Sequence, residues 1–338
     1  MGVSDQVRSL PMHTVDEIIV IGSGNWGLAL ASLFAKKRRV RVWTIDQEMA
    51  DRLRANRAKP DLWHKHPIAE SIVIEPKYSA DFDEDRTLLI LAVPSSQVRS
   101  VARELARHAT APLVLSVSKG FDVEQQCTVS EVIRREIPNA SVVVLTGPTI
   151  ANEVAEGRPT RAILAGEELT SMALVKEALA NDVMSFEISR NPAHHEICAA
   201  LKGIVAIAVG IADGLQLGTN AQGVLMTIGL REMAVIGSFF GVPESVAYGI
   251  SGAGDLITTC ISPDSRNRRL GALLAQGLTL EQALEKVRMT VEGVAMSRTI
   301  ETLWSLDVSI PLIHLVNAIL RGHARDIRGE LTRLIATF

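Results

Sequence analysis

EIIVIGSGNWGLALASLFAKK, residues 17 to 37, decides the fold. Glu17 to Ile21 is a short β-branched run that reads as a strand. It is followed at once by Gly22, Ser23, Gly24, Asn25, Trp26 and Gly27, and then by a run of good helix formers. A second β-rich run, Val40 to Thr44, arrives within the length of one βαβ unit. In that setting the three glycines serve different ends. The first makes the tight turn, the second admits a pyrophosphate, and the third lets helix and strand pack closely. The helix N-terminus adds free N–H groups for phosphate. Residues 22 to 27 are therefore expected to bind a dinucleotide.

Working outward, the end of the second strand bears on the ribose. Asp46 stands 19 residues beyond Gly27, near where an acid accepts from a 2′-OH and repels a 2′-phosphate. No arginine stands at 44 to 46, a slight lean toward NAD over NADP. Arg38, Arg39 and Arg41 lie close by, however, and Asp46 can also be read as a turn residue. Further apolar runs at Thr87 to Val93, Leu113 to Val117, Ser141 to Leu145 and Arg161 to Leu164 alternate with helical stretches such as Gln97 to His108. Short, continuously apolar runs suit parallel strands covered on both faces, so the expected class is α/β, a doubly wound parallel sheet. Ligands of such sheets bind at the carboxyl ends of the strands. The loops there carry Pro94, Lys119, Gly147, Thr149 and Ala151, and the position of Lys119 favours the crevice over solvent. Residues 56 to 85 are mixed. Trp63, His64 and His66 supply no third ligand at metal spacing, so no metal is expected.

After Asn191 and Pro192 the strand pattern gives way to helical segments, which places a domain boundary near residue 190. The expected organisation is a leader at 1–15, a dinucleotide-binding domain at 16–190 and an all-helical domain at 191–338. Glu196 to Asp213, EICAALKGIVAIAVGIAD, is almost wholly small and apolar, in every helical direction, with Lys202 the one charge inside its acidic ends. A buried ammonium needs an acid, a ligand or catalytic work, unless it snorkels to the surface. Ser251 to Arg268 reads as a long polar, glycine-punctuated stretch between helices, combining Asp255, Thr259, Ser265, Arg266 and Asn267, with a solvated linking loop as the bland alternative. Arginine there suits bidentate capture of a phosphate. Glu292 either reaches a ribose or starts a helix.

The 35 basic and 38 acidic residues leave no electrostatic footprint for nucleic acid or an anionic membrane. Cys127, Cys198 and Cys260 are far apart, which fits a reducing cytoplasm better than a disulfide scaffold. The apolar run at 197–212 is interrupted by Lys202 and shorter than a spanning helix requires, so no membrane span is expected.

Together these residues resemble the soluble NAD(P)-dependent sn-glycerol-3-phosphate dehydrogenases. The resemblance rests on GSGNWG (22–27), AVPS (92–95), SKGF (118–121), TGPTIANEVAEGRPT (146–160), ALKGIVAIAVGIADGL (200–215), TNA (219–221), GAGDLITTC (252–260), SRNRRLG (265–271) and VEG (291–293), in the family's order and spacing. It implies a Rossmann domain followed by a helical domain, with hydride transfer between dihydroxyacetone phosphate and glycerol 3-phosphate at their junction. By the same resemblance Lys202 is the general acid and base, with Lys119 and Asp255 beside it. Gly147, Thr149, Asp255, Ser265, Arg266 and Asn267 line the substrate site, with Thr259 nearby, and Ala151, Arg266 and Glu292 also touch the cofactor. A homodimer is implied too.

Three departures stand out. Gly203 occupies the position beside the lysine where many members carry asparagine. Thr227-Ile228-Gly229 replaces a T-R-G pattern, and Ile45 stands where NADP-preferring members often place a base. One alternative follows from these, a dehydrogenase of a modified glycerol phosphate or another phosphorylated ketone; a second, of a different class, is a non-catalytic nucleotide sensor that keeps the fold, against which the retention of Lys119, Lys202, Asp255 and Arg266 speaks.

Overall fold

The computed structural model describes residues 14–58, 66–76, 82–122, 125–303 and 309–338; the leader up to residue 13, Trp63 and His64 lie outside them. The strands are β1 (Glu17–Ile21), β2 (Arg39–Thr44), β3 (Val73–Pro76), β4 (Thr87–Leu91), β5 (Leu113–Ser116), β6 (Phe121–Asp122), β7 (Cys127–Thr128), β8 (Ser141–Thr146), β9 (Thr160–Gly166) and β10 (Met184–Ser189). Eight form one sheet in the order β10-β9-β8-β5-β4-β1-β2-β3. Every neighbouring pair in it is parallel except β8 and β9, where Val144 faces Ala165 in antiparallel register. β6 and β7 make a separate two-stranded pair.

Between and beyond these strands run α1 (Asn25–Phe34), α2 (Gln47–Asn56), α3 (Ser95–Leu105), α4 (Val129–Glu136), α5 (Ala151–Ala155) and α6 (Leu169–Ala178). Ile18, Ile19, Val20, Leu88, Leu89 and Ile90 are all fully buried, which accounts for the absence of apolar–polar alternation in the central strands. β10 escaped the sequence reading. As an edge strand it alternates, with Ser185 and Glu187 exposed between buried Met184 and Phe186, so it lacks the continuous apolar run that marked the others.

From Pro192 onward all described elements are helical: α7 (Pro192–Gly214), α8 (Gly218–Phe239), α9 (Glu244–Ala247), a π-helical turn (Ile250–Gly254), α10 (Asp255–Ile261), α11 (Arg266–Ala275), α12 (Leu280–Val287), α13 (Glu292–Leu303), α14 (Pro311–Leu320) and α15 (Ile327–Thr337). α7 is the axis of this half. It begins at Pro192, whose missing N–H costs nothing in a first turn, and is buried on all sides by α8, α10, α11, α13 and α14. At 23 residues it is longer than its apolar run suggests, and by length and composition it could cross a bilayer. However, 89% of its apolar window is buried inside the protein, as in a core helix.

The polar stretch 251–268 forms the π-helical turn, α10 and the start of α11, leaving only 262–265 outside helices, so the alternative reading of it as a solvated linking loop does not hold. The glycines that suggested a loop serve close packing instead. A Cβ on Gly252 would stand 1.9 Å from the Ala247 carbonyl oxygen.

Candidate active site

β1 feeds the tight turn at Gly22, which has φ +117° and lies so close to β4 that a Cβ would stand 2.6 Å from the Ala92 carbonyl oxygen. Gly27, at the start of α1, is pressed on the same turn: its Cβ would meet the Gly22 oxygen at 2.1 Å. Gly24 has nothing within 4 Å of such a position. Two glycines therefore let the turn close and one leaves it open to a ligand, as a dinucleotide cradle requires. Asn25 Oδ1 and Trp26 Nε1 are buried there without partners in the protein, and Ala151, the first residue of α5, packs against the same core as Trp26. Buried polar atoms usually find a partner, so both atoms fit a polar ligand at this turn.

The turn opens into a crevice of about 730 Å³ between β1, β2 and β4, where the strand order reverses. Its walls include Gly22, Ser23, Gly24, Thr44, Ile45 and Pro94, the last being the N-cap of α3. Among the described residues no lysine or arginine lines it, and one carboxylate, Glu104, does. The reading from sequence found Pro94 but missed Gln97, Val101 and Glu104 on α3. The signal was available, since α3 follows directly from a loop at a strand's carboxyl end. Asp46 is the N-cap of α2, its Oδ1 accepting from the Met49 N–H at 2.8 Å. Arg41, one of the bases near the ribose position, is committed elsewhere: it donates to Glu17 at 2.7 Å and to Glu75 at 3.4 Å. Arg39 is paired with Glu17 at 3.0 Å.

At the junction of the two halves, Lys119 and Lys202 meet on Asp255. Lys119, just past β5, donates from Nζ to Asp255 Oδ2 at 2.8 Å, to the Gly147 carbonyl at 3.0 Å and to the Thr149 hydroxyl at 3.2 Å. Its loop is tied to the β4 loop by the Ser118 hydroxyl, which donates to the Val93 carbonyl at 2.6 Å. Lys202, from the middle of α7, pairs with Asp255 Oδ1. The residue is 8% exposed and Asp255 2%, so the ammonium is held on a buried carboxylate rather than extended to the outer surface. Burial, together with the nearby Lys119 ammonium, holds Lys202 below the usual lysine range, and Asp255 pulls the other way. A buried lysine so placed holds a proton loosely enough to give it up and still has a carboxylate to orient it.

Around this centre the remaining expected residues assemble unequally. Ser265 caps α11, accepting from the Arg268 N–H at 3.3 Å. Arg266, the first residue of α11, is half-buried and makes no ion pair among the described residues. Thr259 is turned inward, its hydroxyl donating to the Asp255 backbone carbonyl at 2.7 Å. Glu292, at the start of α13, is half-buried; burial raises its carboxyl, while Arg266, Lys202 and Lys119 act to lower it. Asn267 Oδ1 accepts from the Gly293 N–H at 3.1 Å.

Gly203 also has a physical reason. A Cβ there would stand 2.9 Å from Gly293 Cα and 3.3 Å from Asn267 Nδ2, so the room of the expected side chain is taken by the backbone of α13 and by Asn267. Ile228, within the departure from T-R-G, is fully buried in the helical core, and Gly229 packs on Val205. No group of His, Cys, Asp or Glu arranged to hold a metal ion occurs among the described residues.

The family profile described as the NAD-dependent glycerol-3-phosphate dehydrogenase N-terminus matches residues 17–172, and that described as its C-terminus matches residues 192–327. A glycerol-3-phosphate dehydrogenase (NAD(P)+) of Fusobacterium nucleatum subsp. nucleatum is 36% identical over 309 residues, covering 90% of this chain and 92% of that protein. One from Thiobacillus denitrificans is 35% identical over 309 residues, covering 90% and 93%. The crystal structure of glycerol-3-phosphate dehydrogenase from Coxiella burnetii superposes with a TM-score of 0.88 at 29% identity, over 95% of this chain and 99% of that one.

Proposed function

The chain belongs to the NAD-dependent glycerol-3-phosphate dehydrogenase family, and we propose that the Lys119–Asp255–Lys202 centre is where it acts on substrate. It is an NAD(P)-dependent oxidoreductase that interconverts dihydroxyacetone phosphate and glycerol 3-phosphate. The observation that carries the assignment of the centre is Asp255, which holds one ammonium on each carboxylate oxygen at the junction of the halves.

A bound nicotinamide dinucleotide supplies the hydride in reduction and takes it in oxidation. Lys202 Nζ gives a proton to the ketone oxygen as it becomes an alkoxide, and takes it back from the hydroxyl in reverse. Lys119 adds a second positive charge beside the developing oxyanion. Asp255 keeps the two ammoniums from separating. Arg266, with no ion pair among the described residues, is suited to the phosphate, and the N-terminus of α11 helps it. Gly147, Thr149, Thr259, Ser265 and Asn267 complete the substrate side. Gly22 to Gly27, Pro94, Ala151 and Glu292 complete the cofactor side.

We assign residues 16–190 to the cofactor and 191–338 to substrate and catalysis, and NAD as the preferred cofactor. The absence of a cation from the crevice lining among the described residues and the pairing of Arg39 and Arg41 with Glu17 support NAD, because a 2′-phosphate would find neither arginine unpaired. A cytoplasmic homodimer is the proposed assembly. Three buried free cysteines support a reducing compartment, and the exposed Phe239, Tyr248, Ile257 and Ile261 of the helical half offer apolar surface to a second copy. A modified substrate and a non-catalytic sensor are not favoured. The relatives carry the unmodified name, and a sensor has no use for a buried proton donor.

Turnover of dihydroxyacetone phosphate with NADH and with NADPH tests the reading. Higher kcat/KM with NADH is expected. No turnover with either cofactor, or activity on another phosphorylated ketone alone, overturns the substrate assignment. Mass measurement in solution checks the dimer.

A further inference from the structure

Glu196 lies six residues before Lys202 on α7 and takes no part in the centre described above. Its carboxylate is 3% exposed. Oε1 accepts from the Ser130 backbone N–H at 2.9 Å and Oε2 from the Ser130 hydroxyl at 2.5 Å. Ser130 is the second residue of α4 and fully buried. The nearest guanidinium, Arg134, donates to the Ser130 hydroxyl at 3.3 Å. Two hydrogen bonds from one residue of the sheet-bearing half therefore hold a buried acid of the helical half.

The path of the chain gives this contact its meaning. From Lys119 the backbone runs through Gly120 into β6, returns in β7 with Phe121 paired to Thr128, and enters α4, where Thr128 caps the helix. The described parts of this excursion, 119–122 and 125–130, both pack against α7. α7 holds it at both ends: Lys202 reaches Lys119 through Asp255, and Glu196 grips Ser130. Catalytic groups carried on different elements need to be fixed to a fraction of an ångström, and their supports carry that load.

Resting on the reading of Lys119 and Lys202 as the reacting pair, we propose that Glu196 is a positioning residue: by fixing the start of α4 to α7, it sets how Lys119 faces Lys202. It touches neither substrate nor cofactor and acts through Ser130.

The test compares Glu196→Ala, Glu196→Gln and Ser130→Ala in the full chain, assayed with dihydroxyacetone phosphate and NADH. Glu196→Ala is expected to lower kcat about tenfold or more while the cofactor KM stays within about twofold. Glu196→Gln still offers an oxygen to the Ser130 N–H and an amide to its hydroxyl, and is expected to keep kcat within about threefold of the parent. Ser130→Ala, which removes one bond and little volume, is expected to lose about threefold in kcat with the same unchanged KM. A folded Glu196→Ala variant with parental kcat overturns the proposal, as does a glutamine variant as impaired as the alanine one. If Glu196→Ala does not fold, unchanged kcat in Ser130→Ala overturns it alone. Hydrogen–deuterium exchange separates this from the activity reading. Faster exchange in Ser130→Ala should spread from α4 to residues 118–122, and exchange confined to α4 sinks the proposal even where the parent turns over no dihydroxyacetone phosphate.

Discussion

Gly203 and Gly293 are in backbone contact: a Cβ on Gly203 would lie 2.9 Å from Gly293 Cα and 3.0 Å from its nitrogen. Neither helix can yield without moving a functional group, since α7 carries Lys202 next to Gly203 and α13 carries Glu292 next to Gly293. Gly203→Asn, which restores the side chain common in relatives, should therefore impair this chain. Overpacking of this kind costs about 1–3 kcal/mol, and kcat/KM for dihydroxyacetone phosphate is expected to fall at least tenfold. Improved kcat/KM would mean that the contact is looser than the geometry indicates.

Lys202→Met is expected to bind cofactor like the parent and to lose the chemical step, because the thioether fills the space without supplying a proton. A loss on the order of 10²–10⁴ in kcat is expected for a positioned general acid. Single-turnover measurement of hydride transfer checks it, and turnover within tenfold of the parent would falsify the role given to Lys202.

The pH profiles separate the parts of Lys119 and Asp255. Reduction requires Lys202 protonated, so its rate should fall as pH rises through the lowered pKa of that group; oxidation requires it neutral and should rise over the same range. Removing Lys119 in Lys119→Met deletes a cause that lowers this pKa, and both limbs should move to higher pH. Asp255→Asn deletes the cause that raises it, and they should move to lower pH. Shifts in the same direction in the two variants would contradict the arrangement of one carboxylate between two ammoniums.

Much of this was legible in the sequence, because the features concerned are local. A glycine turn between a strand and a helix fixes backbone conformation within a dozen residues, and a lone lysine in an apolar helix announces its own cost. The helical course of 250–254 is not legible in the sequence, since its glycines, which there suit a loop equally well, mark contact with Ala247 and not freedom of the chain. Gly203 looked like a missing contact until Gly293, ninety residues on, was seen to occupy its space. Glu196 gave no signal either: as the first residue of the run 196–213 nothing local marks it, and its partner Ser130 lies 66 residues away on α4.

Ile45 tests the cofactor assignment at little structural cost. It is 58% exposed at the mouth of the crevice, beyond the end of β2, so an arginine there disturbs no packing. Ile45→Arg should raise kcat/KM for NADPH about tenfold or more relative to NADH, the factor that about 1.4 kcal/mol of new phosphate contact provides. An unchanged ratio would place the 2′-hydroxyl end of the ribose away from residue 45.

Glu232 makes stability depend on pH in a direction opposite to that of salt-bridged acids. On α8 it is 3% exposed, and its oxygens accept from the Leu312 and Ile313 N–H groups at 2.7 and 2.9 Å, at the first turn of α14. Burial pushes its carboxyl up to about 7, against the lowering effect of those two bonds. The folded protein thus binds the proton more tightly than the unfolded chain, whose carboxyl titrates near the ordinary 4.5. The stabilisation is fully present below that value and is lost as pH rises through about 7, a change of about 3 kcal/mol at the linkage rate of ~1.36 kcal/mol per unit. Glu232→Gln cannot ionise, so it removes this dependence. Denaturant midpoints between pH 5 and pH 8.5 should fall with rising pH more steeply in the parent than in the variant, and the deficit of the variant at pH 5 should shrink or reverse at pH 8.5. Parallel midpoint curves would show that Glu232 ionises alike in the folded and unfolded states.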